Sequence, residues 1–154
     1  MKPLFVLLGV FAISILATKV FQGKYQVPLS GRIALSMMLV FTAIAHFVFT
    51  KGMEMMLPSF IPFKTEVVYL TGIIEVAAAI GLLIPSFKLV TAWLLIAFFF
   101  LILPANIYAA LKHVDYQSAD NGGNGINYLW FRIPLQLLFI IWTYVFVIKN
   151  YRQI

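Results

Sequence analysis

The residue types able to do chemistry in this chain are few and widely spaced. Glu75 stands near the middle of an apolar run, Tyr69 to Pro85. A carboxylate at the centre of such a run is costly in a hydrocarbon environment, at least about 2.5–3.5 kcal/mol, so it needs a cation, a shared proton, water or a ligand beside it. His46, Asn106, Arg132 and Gln136 are the polar residues of the other apolar runs that can meet it. His46 and Glu75 are the types that pass protons and are the candidate catalytic groups. Arg132, Gln136 and Asn106 are donors and acceptors suited to holding the polar atoms of a ligand. A bland reading stands beside this one: Glu75 in a structural ion pair with Arg132, or a carboxylic acid hydrogen-bonded to His46.

Other chemistries find little footing. The 154 residues include no cysteine, which removes thiolate ligands, disulfides and a dithiol relay. Only two histidines occur, and no carboxylate stands three or four residues after His46, so no metal site is expected. No nucleotide-binding fingerprint or Ser-His-Asp order is present. The glycines of the 121–125 stretch follow no strand, so they make a flexible loop rather than a phosphate cradle.

The elements that must position these groups are apolar. The chain is 63% hydrophobic and 10% charged, against about 45–50% and 25% in soluble domains, which points to an all-α integral membrane helical bundle. The net charge of +6 is spread over loops and helix ends, so it is read as topology signal and lipid contact, not nucleic-acid binding. The bilayer is the expected partner.

Hydropathy divides one domain, residues 1–154, into spans at about 3–20, 32–50, 65–84, 87–111 and 131–148. The first resembles a signal peptide but offers no small-x-small cleavage site, and is read as a retained helix. Residues 22–31 read as a polar connection. Residues 52–64 hold two prolines and three methionines and read as an apolar loop folded back over the bundle. Ala77 and Gly81 allow close packing of the third and fourth spans. Pro104 should kink the fourth span, with Asn106 serving the freed backbone groups or a ligand. Pro134 suits the first turn of the fifth.

Because the spans alternate in direction, His46, Asn106, Arg132 and Gln136 fall in one half of the bilayer. Glu75, ten residues past Thr65, lies about 15 Å deep at 1.5 Å per residue. Lys2, Lys51, Lys64, Lys112 and Arg132 lie on that side; Lys19, Lys24, Arg32, Lys88, Lys149 and Arg152 lie on the other. With Arg132 set aside as a pocket residue, the balance favours the site facing outward and the C-terminus facing the cytoplasm.

The motifs Ala45-His46-Phe47, Leu57-Pro58-Ser-Phe-Ile-Pro62, Tyr69-Leu-Thr-Gly-Ile-Ile-Glu75, Gly81-Leu-Leu-Ile-Pro85, Pro104-Ala-Asn106-Ile-Tyr108 and Arg132-Ile-Pro134-Leu-Gln136 together resemble the DoxX-like family of small bacterial membrane proteins. The likeness runs from about Arg32 to Trp142. It implies a four-helix DoxX-like core, with residues 3–20 as an added N-terminal transmembrane helix, in the bacterial inner membrane. By motif position it also implies His46, Glu75, Asn106, Arg132 and Gln136 as pocket residues.

The family's namesake is linked to a thiosulfate:quinone oxidoreductase, and distant eukaryotic relatives to receptor-assembly chaperones. The leading expectation is therefore a quinone-like or other lipophilic ligand bound by the membrane subunit of an oxidoreductase system, with a redox partner subunit or a second copy alongside. The competing expectation is a non-enzymatic assembly or lipid-binding protein. Whether the chain is an enzyme stays open, since electrons would need a bound cofactor or a partner.

Overall fold

The computed structural model describes residues 2–150, and Arg152, expected to anchor the far end, lies outside them. The fold is all-helical; among the described residues the one β-type contact is an isolated bridge between Asp115 and Asp120. In chain order the elements are α1 (Lys2–Gln22), α2 (Val27–Val48), the short α3 (Thr50–Met55), α4 (Lys64–Leu83), α5 (Lys88–Leu111) and α6 (Ile126–Thr143). A π-helical segment, Tyr144–Lys149, continues α6. Five of these helices, counting α6 and its extension as one, are long and apolar enough to cross a membrane.

Three elements differ from the sequence reading, each for a local reason. The connection before the second helix is only residues 23–26, because Pro28 sits in the first turn of α2, where its missing N–H costs nothing. Conversely, Pro134 is not at a helix start. Helix α6 begins at Ile126 after Gly125, whose φ of 58° makes the turn, so Pro134 lies in the helix interior. Arg132 is consequently about 9 Å along the helix axis rather than at its rim. Finally, residues 50–55 form a helix that runs from the end of the expected second span into the expected loop, since the breakers Pro58 and Pro62 come only after it.

Helix α2 is the most enclosed of the five and α1 the least. Leu35, Leu39, Leu82, Leu95, Trp142 and Val147 join α2, α4, α5 and the end of α6 in one core, and Leu7 adds α1 to it. Trp142 Nε1 donates to the Gly31 carbonyl at 3.0 Å, and Phe11 meets the Trp142 ring edge-on with centroids 5.0 Å apart. Gly81 lies against Thr91, where a Cβ would come within 2.4 Å of the hydroxyl, so α4 and α5 approach closely there. The outer faces carry exposed large apolar side chains on all five long helices, including Phe21, Phe41, Ile73, Leu101 and Trp130.

Candidate functional site

Between α2, α4, α5 and α6, with the start of α1 at its edge, the bundle holds a partly open cavity of about 420 Å³. It lies in the half where α2 and α5 end and α4 and α6 begin. His46, Glu75, Asn106, Arg132 and Gln136, which come from four different helices, all line it. Its remaining walls are mostly apolar, with Met38, Leu39, Phe98, Phe99 and Phe139 among them. Phe98 and Phe99 thus turn inward, while Phe100 of the same run is exposed.

Glu75 is buried near the middle of α4. Its Oε1 lies 3.5 Å from His46 Nε2, and its Oε2 is buried with no hydrogen-bond partner. The partner of the carboxyl is therefore His46 rather than Arg132. The imidazole is held from behind: Nδ1 is 3.1 Å from the Val68 carbonyl oxygen and 3.0 Å from Thr71 Oγ1. Thr71 also donates to the Val68 carbonyl, at 2.8 Å. A carbonyl can only accept, so this cradle favours a hydrogen on Nδ1. Nε2 is then the nitrogen that faces Glu75 Oε1, and a proton can pass between the two. A separation of 3.5 Å is beyond a good hydrogen bond, so the pair is poised rather than locked.

The second polar group is a pair of buried amides. Gln136 donates from Nε2 to the Phe99 carbonyl, and Asn106 donates from Nδ2 to Gln136 Oε1 at 3.3 Å. Pro104, inside α5, has no N–H for the carbonyl four residues before it, and the backbone acceptor at Phe99 lies in the turn it loosens. Gln136, from the neighbouring helix, thus bonds the carbonyl next to the one that Pro104 leaves without its N–H, and Asn106 supports it. Arg132 is half-buried, lines the cavity one turn before Gln136, and lies over the Tyr128 ring at 6.0 Å from its centroid.

The mouth is bordered by the methionine-rich segment expected to fold back over the bundle and by the long loop before α6. Met53 and Met56 of the α3 region, with Tyr116 and Gln117 of the long loop, border the cavity. A Cβ on Gly52 would come within 1.9 Å of the Tyr116 carbonyl oxygen, so the two segments touch backbone to side-chain-free backbone. Thr65 donates to Glu54 at 2.6 Å, and Lys64 Nζ to the Leu57 carbonyl at 2.9 Å, tying α3 to the start of α4. The glycine-containing loop is closed on itself by the Asp115–Asp120 bridge and by Gly123 N–H donating to the His113 carbonyl at 2.7 Å. Burial and the nearby Tyr128 raise the Tyr116 phenol pKa, against the opposing pull of Arg132.

Thr71, Tyr116 and Tyr128 were missed by the sequence reading. Thr71 had a readable signal, since it stands four residues before Glu75 and so on the same helical face. The two tyrosines had none.

Residues 35–147 match the family described as Domain of unknown function (DUF8561). The chain belongs to that family. The matched stretch starts inside α2 and ends in the π-helical segment, so His46, Glu75, Asn106, Arg132 and Gln136 all fall within the DUF8561 region and α1 lies outside it. No curated protein and no solved structure shows significant similarity to the chain.

Proposed function

We propose that the protein is a multi-pass integral membrane protein of the bacterial inner membrane. Its cavity binds a quinone-like or other lipophilic small molecule, and the protein acts as the membrane subunit of an oxidoreductase system. Membrane insertion is supported by the five long apolar helices and by large apolar side chains on the outward face of each, which water would not tolerate in such number. The sequence resemblance to DoxX-like proteins supports the same location and a four-helix core with α1 added.

The observation that carries the ligand reading is Glu75 Oε2. It is a buried carboxyl oxygen without a partner, on a residue that lines a largely apolar cavity also bordered by Arg132. Small-molecule sites combine apolar walls with a few convergent polar groups, in volumes of about 300–1,000 Å³. A quinone headgroup fits that description, with acceptor oxygens for Arg132 and a flat ring for Phe99 and Phe139. A bound quinone would supply the electron-accepting chemistry, with electrons delivered by a partner subunit. The chain's own residues bind and relay protons. Arg132 fixes an acceptor oxygen, the free N–H of the Gln136 amide and the Asn106 amide assist, and Glu75 and His46 exchange their shared proton with the ligand.

The amide pair favours a second reading, an assembly or lipid-binding protein without catalysis, because Asn106, Gln136 and the Phe99 carbonyl already satisfy one another across α5 and α6. Binding of a short-chain ubiquinone to detergent-purified protein, read by native mass spectrometry and titration calorimetry, separates the two. The ligand reading expects stoichiometric binding that weakens at least tenfold in Arg132→Ala. Equal binding by that variant, or none by the wild type, would overturn it.

A further inference from the structure

The His46 ring is aimed by three neighbours that all belong to α4. Gly72 lets the two helices meet. A Cβ there would come within 2.9 Å of the His46 Cβ and 3.2 Å of the Phe47 ring, so any larger residue would push α2 away. At that close approach His46 Nδ1 lies 3.1 Å from the Val68 carbonyl oxygen and 3.0 Å from Thr71 Oγ1.

The Thr71 hydroxyl donates its one hydrogen to the Val68 carbonyl, 2.8 Å away in its own helix. Its oxygen therefore meets the imidazole with lone pairs. Two acceptors thus converge on Nδ1, and a bare nitrogen at that place would face lone pairs on both sides.

We propose that Thr71 is a positioning residue for the His46–Glu75 pair. With the Val68 carbonyl it keeps the hydrogen on Nδ1, so the ring takes and returns protons through Nε2 alone, towards Glu75. Transfer from the carboxylic acid to the ring breaks the Glu75 O–H bond and makes an Nε2–H bond. Carboxyl and imidazole become carboxylate and imidazolium, and the reverse step restores both. Nδ1 passes nothing on, because a carbonyl is no base and the Thr71 hydrogen is already committed to it. The pair is then a proton store that opens towards the cavity and ends at Val68. The ring's hydrogen does not depend on what the cavity binds; only the use of the stored proton by a ligand rests on the function proposed above.

The test is NMR of the histidine ring nitrogens in ¹⁵N-labelled, ligand-free full chain in detergent micelles. The chain has two histidines, so the signals missing from His46→Gln are those of His46. Across the pH range in which the protein stays folded, the wild type is expected to keep hydrogen on Nδ1, with Nε2 the nitrogen that loses it. Thr71→Val keeps the shape and removes one of the two acceptors. The fraction of rings with hydrogen on Nε2 instead of Nδ1 should rise about fivefold, the factor that one hydrogen bond is worth. Thr71→Ser should restore the wild-type spectrum. Loss of packing alone would lower the melting temperature without moving the ring hydrogen.

A bare Nδ1 in the wild type overturns the proposal, and so does a Thr71→Val spectrum identical to the wild type's. Should Thr71→Val fail to fold, Thr71→Ala takes its place, and the wild-type spectrum still decides which nitrogen is bare. Failure of the protein to bind short-chain ubiquinone would end the ligand reading and leave these spectra unchanged.

Discussion

His46 Nε2 and Glu75 Oε1 face each other at 3.5 Å across the contact between α2 and α4, while the Val68 carbonyl holds the far side of the imidazole. The pair joins the bundle's mid-depth carboxyl to a group that can take or return its proton, and it does so on the wall of a cavity. His46→Ala would leave the carboxyl buried with no contact at all, a loss expected at about 2–4 kcal/mol of stability. Glu75→Gln keeps the shape and removes the charge, with an expected cost near 1 kcal/mol. Denaturant titration in micelles measures both. The proton role makes a separate demand: Glu75→Gln should bind short-chain ubiquinone but fail to support its reduction with the partner present. Wild-type turnover by that variant would end the proton assignment.

The Asn106–Gln136–Phe99 chain should behave as one unit. Gln136→Leu strands the Asn106 amide and removes the bond to the Phe99 carbonyl, for an expected loss of about 1–3 kcal/mol. Asn106→Leu alone should cost less, because Gln136 keeps its backbone partner. The double variant should be less destabilised than the sum, with a coupling energy of about 0.5–3 kcal/mol. Strict additivity would mean that the two amides do not depend on each other.

Gly52→Ala puts a methyl group where the Tyr116 carbonyl oxygen now sits, and backbone cannot yield as a side-chain tip can. The expected outcome is displacement of the long loop from α3. Faster protease cleavage between Lys112 and Tyr128, with little change in the melting of the helices, would report it. Cleavage at the wild-type rate would show that the loop does not depend on this contact.

Tyr116 gives a pH prediction. Its folded pKa is raised, chiefly by burial, above the ordinary phenol value of about 10. The stability it contributes is present below pH 10 and is lost as pH rises through the folded pKa, because the buried phenolate is disfavoured. An ultraviolet titration of the native protein should therefore show a late-ionising phenol that Tyr116→Phe removes. If the variant's titration curve matched the wild type's, the late phenol would belong to another tyrosine.

The sequence by itself determined the helical character of the chain and the isolation of Glu75 in its apolar run. Composition and the spacing of apolar stretches are local properties, and they survive any rearrangement of the helices around one another. Alternating span direction was enough to put His46, Asn106, Arg132 and Gln136 in a common half. Choice of partner was not local. A lone carboxyl in an apolar run is compatible with Arg132, His46 or a ligand, and only the rotation of α2 against α4 decided for His46.

The same holds for Gln136. Its amide reaches the Phe99 carbonyl from a helix that starts at Ile126, about five residues before hydropathy implies, and carries Pro134 in its interior. Propensity rules read Pro134 as a beginning, whereas packing of α6 on α5 extended the helix through it. Arg32 looked like an ordinary helix-end anchor in the sequence. Tertiary packing buried it, since α2 is the most enclosed of the long helices and Arg32 falls on its inward side.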